Sequence, residues 1–95
     1  MKPYFPYVSD KPDKKFFIIT NKNKKVYFGS SNYQDFTQHK DLIRKHSYIL
    51  RHRKREDWNN PDTAGYWSFK FLWSYPSKEE AYHHIKDELR KWGYL

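Results

Sequence analysis

The chain has 95 residues, no cysteine and a formal net charge of +8, and it combines a mean hydropathy of −1.19 with 21% aromatic residues. This aromatic content lies outside the composition of disordered chains, so we expect one folded domain with an aromatic core. The lack of cysteine excludes a disulfide framework and thiolate zinc sites, and it favours an intracellular location. No apolar run approaches the roughly 20 residues of a membrane span, and the start lacks the apolar region of a secretory signal. We therefore expect a soluble protein that is not exported and does not contact a membrane.

The first 15 residues are predicted to be a proline-rich extended arm, followed by a single α+β domain over residues 16–95. Pro3, Pro6 and Pro12 each fix their own φ and push the preceding residue toward extended conformations. The aromatic side chains of the arm would be costly to leave in water. We expect the arm to lie against the domain or against a partner subunit.

Two short β-branched and aromatic runs follow the arm. Residues 16–20 (FFIIT) and 26–29 (VYFG) are separated by the polar segment NKNKK, whose asparagines tolerate left-handed backbone conformations. This pattern predicts a β-hairpin. Gly29 and the following SSN segment end the second strand.

Residues 35–58 are predicted to contain an amphipathic helix with a basic C-terminal end. Asp35 with Gln38, or Asp41 a little later, can serve as the N-cap. One face carries four apolar residues that we expect in the core: Leu42, Ile43, Ile49 and Leu50. Basic residues recur at helical spacing on another face, so this helix is expected to pack with one side and to present positive charge on the other.

The positive charge of the chain is concentrated in this segment. Residues 38–55 contain seven cations and one acid, so they supply +6 of the net +8. The cations are Lys40, Arg44, Lys45, Arg51, Arg53, Lys54 and Arg55. The helix macrodipole explains one or two basic residues at a C-terminal end, but not three consecutive cations that repel one another. These seven residues are the candidate binding site for an anion, and nucleic acid is the preferred partner.

Two further helices are predicted after a turn at residues 58–63. Residues 66–75 alternate with period two as a strand would, but their aromatic residues also cluster on one helical face. A helix is favoured because Pro61 suits a position at or just before the first helical residue and Pro76 stops the helix. In the last helix Ser77 and Glu80 form a capping box and Gly93 is the terminator, with Ala81, Ile85, Leu89 and Trp92 as the apolar stripe. The predicted fold is therefore α+β, a β-hairpin packed on about three α-helices in one compact domain.

Three stretches of the chain also carry a resemblance to known proteins. They are KVYFG at residues 25–29, DFTQHKD at 35–41 and RHRKREDWNNPDTAGYWSFKFLW at 51–73. Over residues 16–75 the chain resembles a small family of unknown function encoded by large nucleocytoplasmic DNA viruses of protists. The resemblance implies a viral origin and a location inside an infected host cell, in the nucleus or the cytoplasm, with packaging in the virion left open. It carries over no functional residue.

The preferred function is non-enzymatic binding of nucleic acid, largely without sequence specificity and without a cofactor. Helical arginines with interleaved aromatic residues and histidines, such as Tyr48 and His52, suit contacts to phosphate groups. A solvated basic face that merely keeps the protein soluble is the bland alternative. A metal site built from Glu80 with His84, or His83 with Asp87, is disfavoured because such pairs are ordinary on a polar helix face.

A nuclease is a remote alternative. The strand pair followed by a helix with Arg44 is superficially similar to the GIY-YIG nucleases, with Tyr27-Phe28-Gly29 in the place of their second motif and Glu79 or Glu80 as the acid. The first tyrosine motif is missing, because Ile18-Ile19-Thr20 occupies its place.

For the preferred function, the sequence leaves open whether the nucleic acid is DNA or RNA.

A homodimer or another protein-interaction module is the second alternative. Twenty aromatic residues are more than a core of this size can readily enclose. We expect the surplus on the arm and on the aromatic helix to meet a second copy across a two-fold axis.

Overall fold

A three-stranded antiparallel sheet forms the N-terminal half of the fold in the computed structural model, which describes residues 1–95. The strands are β1 (Tyr7–Val8), β2 (Lys14–Ile19) and β3 (Lys25–Ser30), in the order β1-β2-β3. Phe16 pairs with Phe28 and Ile18 with Val26, which puts both pairs on the face toward the core. The predicted hairpin is confirmed, and Asn23 in its turn has a φ of 62°.

The arm lies against its own domain. Tyr4 is buried, and its backbone N–H donates to the Ile19 carbonyl at 2.9 Å. Its hydroxyl donates to Asp62 at 2.5 Å, and burial together with this bond raises the pKa of Tyr4 to about 12. Tyr7 and Val8 then add β1 to the hairpin, and β2 already begins at Lys14. The aromatic side chains of the arm thus find partners within the same chain.

Helices make up the rest of the chain. They are α1 (Phe36–His39), α2 (Leu42–His52), α3 (Ala64–Trp67) and α4 (Lys78–Lys91), and the π-helical segment Ser68–Trp73 continues α3 without a break. Together with the sheet they form a single α+β domain, so the predicted fold class is confirmed. None of the helices combines the length and the apolar character that crossing a bilayer requires.

The predicted helix over residues 35–58 is in fact two helices. Asp35 caps α1 in a capping box with Gln38, and Asp41 caps α2 by accepting from the N–H groups of Ile43 and Arg44. Both candidate caps are therefore used. Lys40 separates the helices because its left-handed φ of 54° ends α1.

The aromatic segment is helical, as predicted. Thr63 is the N-cap and accepts from the Tyr66 N–H at 3.3 Å, so Pro61 lies just before the cap. The widened π-helical turn then continues to Trp73, and the Ser74 hydroxyl donates to the Phe69 carbonyl at 2.8 Å. Ser77 caps α4 as predicted, and Gly93 follows it with a φ of 88°.

The core joins the inner face of the sheet to α3, the π-helical segment and α4. It contains Tyr4, Ile18, Phe28, Tyr66, Trp67, Phe71, Leu72, Ala81, Ile85 and Leu89. Aromatic residues also cover the outer face of the sheet. There Phe17 lies between Tyr7 and Tyr27 at centroid distances of 5.6 Å, with the Lys25 ammonium 4.2 Å above its ring. Much of the aromatic surplus is therefore accommodated inside one molecule.

Candidate functional site

The seven predicted cations lie along α2 and in the turn that follows it. Lys40 ends α1, Arg44, Lys45 and Arg51 belong to α2, and the three consecutive cations Arg53, Lys54 and Arg55 come after its last residue, His52. The helical geometry therefore stops just before the densest charge. All except Lys45 are exposed.

Two of the seven cations donate hydrogen bonds to residues outside the basic cluster, whereas a third, Arg55, donates only within it. The Lys45 ammonium donates to the Ser74 carbonyl at 2.7 Å and lies 4.9 Å from the centroid of the Phe36 ring. The Lys40 ammonium donates to the Thr37 carbonyl at 3.1 Å. Both interactions stabilise the ends of helical segments, so these two residues have a structural role even without a ligand.

The other five cations form no ion pair. The ion pairs of the protein are formed by other residues. They are Lys15–Asp35, Lys25–Asp10, His52–Glu56, Lys70–Glu88 and Arg90–Asp87. Arg55 donates to the Arg51 carbonyl at 3.2 Å, which leaves its charge uncompensated. Arg44, Arg51, Arg53, Lys54 and Arg55 are called the free cations below.

The prediction that the apolar face of α2 packs in the core is wrong. Leu42, Ile43 and Leu50 are 70%, 79% and 46% exposed, whereas Tyr48 is the buried residue of the helix. Tyr48 belongs to the opposite face, together with Lys45. The reason is tertiary, because the aromatic partner available to α2 is Trp73 in the π-helical segment, and it contacts the tyrosine.

Tyr48 is the centre of a three-ring stack that anchors α2. Its ring lies 4.4 Å from Trp73 at an angle of 8° and 4.1 Å from His52 at an angle of 21°. Both faces of the tyrosine are therefore occupied, and burial raises the pKa of its hydroxyl, with the Glu56 carboxylate adding to the effect. Tyr48 and His52, which are interleaved with the arginines in the sequence, thus form this anchor.

A cleft of about 610 Å³ lies beside the free cations. Its walls come from β3 and the loop after it, from α2 and from the helical segment that contains Trp73. Arg44 and Arg51 line the cleft from α2, and Lys14 and Lys15 line it from β2. The cleft and the basic helix are thus one continuous surface.

Both acids of the cleft have polar partners, and Asp35 is paired with a cation. Asp35 accepts from the Lys15 ammonium at 2.7 Å and also from the Thr37 hydroxyl. Glu56 lies 3.3 Å from His52 Nδ1 and accepts from the Trp58 indole at 3.4 Å. A Cβ on Gly65 would lie only 2.9 Å from the Glu56 carboxylate, so the glycine makes room for this acid. Four Lys/Arg side chains, Lys14, Lys15, Arg44 and Arg51, line the cleft against these two acids, so its formal charge is +2.

Lys14 is the functional candidate that the sequence did not single out. It is half-buried at the start of β2 and forms no ion pair. Lys14 precedes Phe16 by two residues and Ile18 by four, which puts it on the same face of the strand as these core residues. This period of two could have predicted from the sequence that Lys14 faces the domain. Only the tertiary fold, however, brings it to the same cleft as Arg44.

The residues named for a nuclease are only partly brought together. Tyr27 lines the cleft, and its hydroxyl donates to Asp10 at 2.7 Å. Glu79 and Glu80 do not line the cleft, whose acids are Asp35 and Glu56. No group of three or more histidine, aspartate or glutamate side chains is close enough to bind a metal ion. His84, named in a possible metal pair, stacks on Tyr75 with a centroid distance of 4.3 Å.

The sheet, α1 and α2 coincide with a segment known from other proteins. Residues 7–52 match a family of unknown function, DUF5754. This match confirms the resemblance to an uncharacterised family, over a segment that begins before residue 16 and ends before residue 75. It includes Lys14, Arg44 and Arg51 but not the three cations after His52. Neither a curated protein nor a solved structure matches the chain.

Proposed function

We propose that this protein binds nucleic acid without being an enzyme, and largely without sequence specificity. The observation that carries the proposal is the group of five free cations between Arg44 and Arg55, which no acid of the protein neutralises. Like charges this close repel one another, so a polyanion relieves a cost that the folded protein otherwise carries. Guanidinium groups bind phosphate oxygens bidentately, and the release of counterions supplies affinity.

The absence of sequence specificity is proposed from the position of the charges. Arg53, Lys54 and Arg55 lie in an exposed turn after α2, where they form an electrostatic surface and not a rigid element directed at base edges. Contacts of this kind position a protein on the backbone and do not read bases. Both DNA and RNA are therefore expected to bind.

The viral origin and the cellular location are part of the same proposal. The resemblance over residues 16–75 supports a protein encoded by a large nucleocytoplasmic DNA virus, acting in the nucleus or the cytoplasm of an infected cell. A nucleic-acid binder with a net charge of +8 suits such a setting. Detection of the protein in purified virions or only in infected cells would distinguish packaging from an intracellular role.

The test is equilibrium binding to labelled duplex and single-stranded DNA and RNA across a salt series. Affinity is expected to fall steeply between about 50 and 200 mM salt for all four nucleic acids. No binding to any of them at about 50 mM salt would refute the proposal. Intact nucleic acid after long incubation with magnesium or manganese is expected, whereas cleavage abolished by Tyr27→Phe would favour the nuclease.

A two-fold homodimer is a second candidate, and it now depends on α2 instead of the arm. Leu42, Ile43 and Leu50 form an exposed apolar ridge on this helix, and a helix pair about a two-fold axis would bury the same ridge on both copies. Sedimentation equilibrium at micromolar concentration tests this candidate. A mass that stays near 11.8 kDa would exclude the dimer, and dissociation by Leu50→Gln would assign it to the ridge.

A further inference from the structure

The cleft beside α2 has features that a merely electrostatic surface does not need. It is a partly enclosed space of about 610 Å³, within the range of pockets that bind small ligands. Three cations without an acidic partner, Lys14, Arg44 and Arg51, line it from two different elements of the fold. Positive charge therefore lines the cleft from both β2 and α2.

The cleft also has an apolar side. Tyr33 is 74% exposed and lines the cleft from the loop after β3, and the exposed Ile43 lines it from α2. Neither the Tyr33 ring nor its hydroxyl has a partner among the aromatic contacts and hydrogen bonds of the chain. An exposed tyrosine beside unpaired guanidinium groups is the combination that binds a base by stacking and its phosphate by charge.

We propose that this cleft is a pocket for a single nucleotide, with the phosphate at Lys14, Arg44 and Arg51 and the base against Tyr33. The nucleotide is either free or part of a single strand, since a paired base inside a duplex does not present its face. The inference rests on the proposed function in so far as the nucleotide belongs to a strand. It adds a defined site and a preference for unpaired nucleotides.

The cleft contains its own spectroscopic reporter. Trp73 lines it and stacks on Tyr48, so a ligand near Arg51 is expected to change the tryptophan fluorescence and the amide NMR signals of β2 and α2. The full chain is titrated with a nucleoside monophosphate, with the nucleoside alone and with inorganic phosphate. The monophosphate is expected to bind more tightly than either of its parts.

Three single substitutions separate a pocket from diffuse charge. Arg51→Gln removes a guanidinium that lines the cleft, and it is expected to weaken binding of the monophosphate at least about tenfold. Tyr33→Ala removes the stacking ring and is expected to weaken it about fivefold or more, with little effect on inorganic phosphate. Lys91→Gln is the matched control, because it removes one exposed charge that lies outside both the cleft and the free cations, and it is expected to leave the affinity within about twofold.

The outcomes are distinct for this inference and for the proposed function. Loss of monophosphate binding in Arg51→Gln and Tyr33→Ala, but not in Lys91→Gln, would support the pocket. Displacement of the monophosphate by a single-stranded oligonucleotide at a lower concentration than by a duplex would identify the strand as a source of the nucleotide. No binding of the monophosphate, or equal weakening by Lys91→Gln, would overturn the pocket. Long nucleic acids that bind while the monophosphate does not would refute the pocket alone, whereas the reverse result would refute the proposed function and leave the pocket.

Should Arg51→Gln fail to fold, Arg44→Gln provides the same test. The Arg44 side chain is exposed, lines the cleft and forms no ion pair, so its replacement removes no contact that stabilises α2. Far-UV circular dichroism and thermal unfolding of each variant show whether the fold is retained. Weakened binding in a variant that unfolds like the wild type is the result that supports the pocket.

Discussion

Replacing Arg51, Arg53 and Arg55 with glutamine should flatten the salt dependence of nucleic-acid binding. If all five free cations contact phosphates, log affinity should fall with log salt at a slope of about −4.5 for a duplex and about −3.5 for a single strand. The triple variant keeps Arg44 and Lys54, so its slope should be about −1.8 and about −1.4. Between about 50 and 200 mM salt the affinity for a duplex should fall about 500-fold in the wild type and about twelvefold in the variant.

The control for this experiment removes the same charge from another part of the surface. Lys22, Lys24 and Lys91 are exposed and form no ion pair, so their replacement with glutamine also lowers the net charge from +8 to +5. Fluorescence anisotropy of labelled oligonucleotides measures both triple variants. An unchanged slope in the arginine variant, or an equal flattening in the lysine control, would show that the free cations are not the binding face.

The remaining predictions concern the stability of the fold. Gly29→Ala should lower the free energy of unfolding by about 1–3 kcal/mol, because the new Cβ would lie 2.7 Å from Leu72 Cδ1 at a φ of 79°. Gly93→Ala should lower it by only about 1 kcal/mol, because this residue has a φ of 88° but no close contact. Urea denaturation measures both values. Leu42→Gln should change the free energy of unfolding of the monomer by less than about 0.5 kcal/mol, whereas Tyr48→Ala should lower it by about 3–5 kcal/mol. A large effect of Leu42→Gln in a protein that stays monomeric would indicate that the apolar face of α2 is in the core after all. Stability should decrease as pH rises from about 10 to about 12, because burial raises the pKa of Tyr4 to about 12 and the unfolded chain therefore releases this proton first. Tyr4→Phe should weaken this decrease. A pH profile of stability that is the same in the variant and the wild type would contradict this role of Tyr4.

Features decided by neighbouring residues could be predicted from the sequence. Asp35, Asp41 and Ser77 were identified as caps because each bonds to N–H groups two or three residues further on. The hairpin was predictable for the same reason, since its turn and its alternating strands lie within the 17 residues from Lys14 to Ser30. These interactions need no knowledge of the tertiary fold.

The orientation of α2 could not be predicted in this way. Its apolar residues form a regular face, and in isolation that face is the best candidate for burial. Trp73, which lies 25 residues after Tyr48, determines the orientation by stacking on it. The double periodicity of residues 66–75 has a related cause, because the π-helical segment that positions Trp73 has neither the period of a strand nor that of an α-helix.

The cleft could not be predicted from the sequence, because the residues that line it come from distant segments of the chain. Lys14, Tyr33 and Arg51 belong to β2, to the loop after β3 and to α2. The charge run after α2 was visible in the sequence, but the pairing of Asp35 and Glu56 with other residues was not. Only the tertiary fold brings four Lys/Arg side chains and two acids into one cleft and so determines that its charge is positive.

The distribution of core residues determines which part of the chain can fold alone. Seven of the ten core residues lie after His52, and the segment matched by the family contributes only Ile18 and Phe28. Expressed by itself, that segment would lose α3, the π-helical segment and α4, on which the inner face of its sheet packs. We expect a fragment of residues 7–52 to be unfolded in isolation, so the autonomous unit for expression has to extend at least through Leu89.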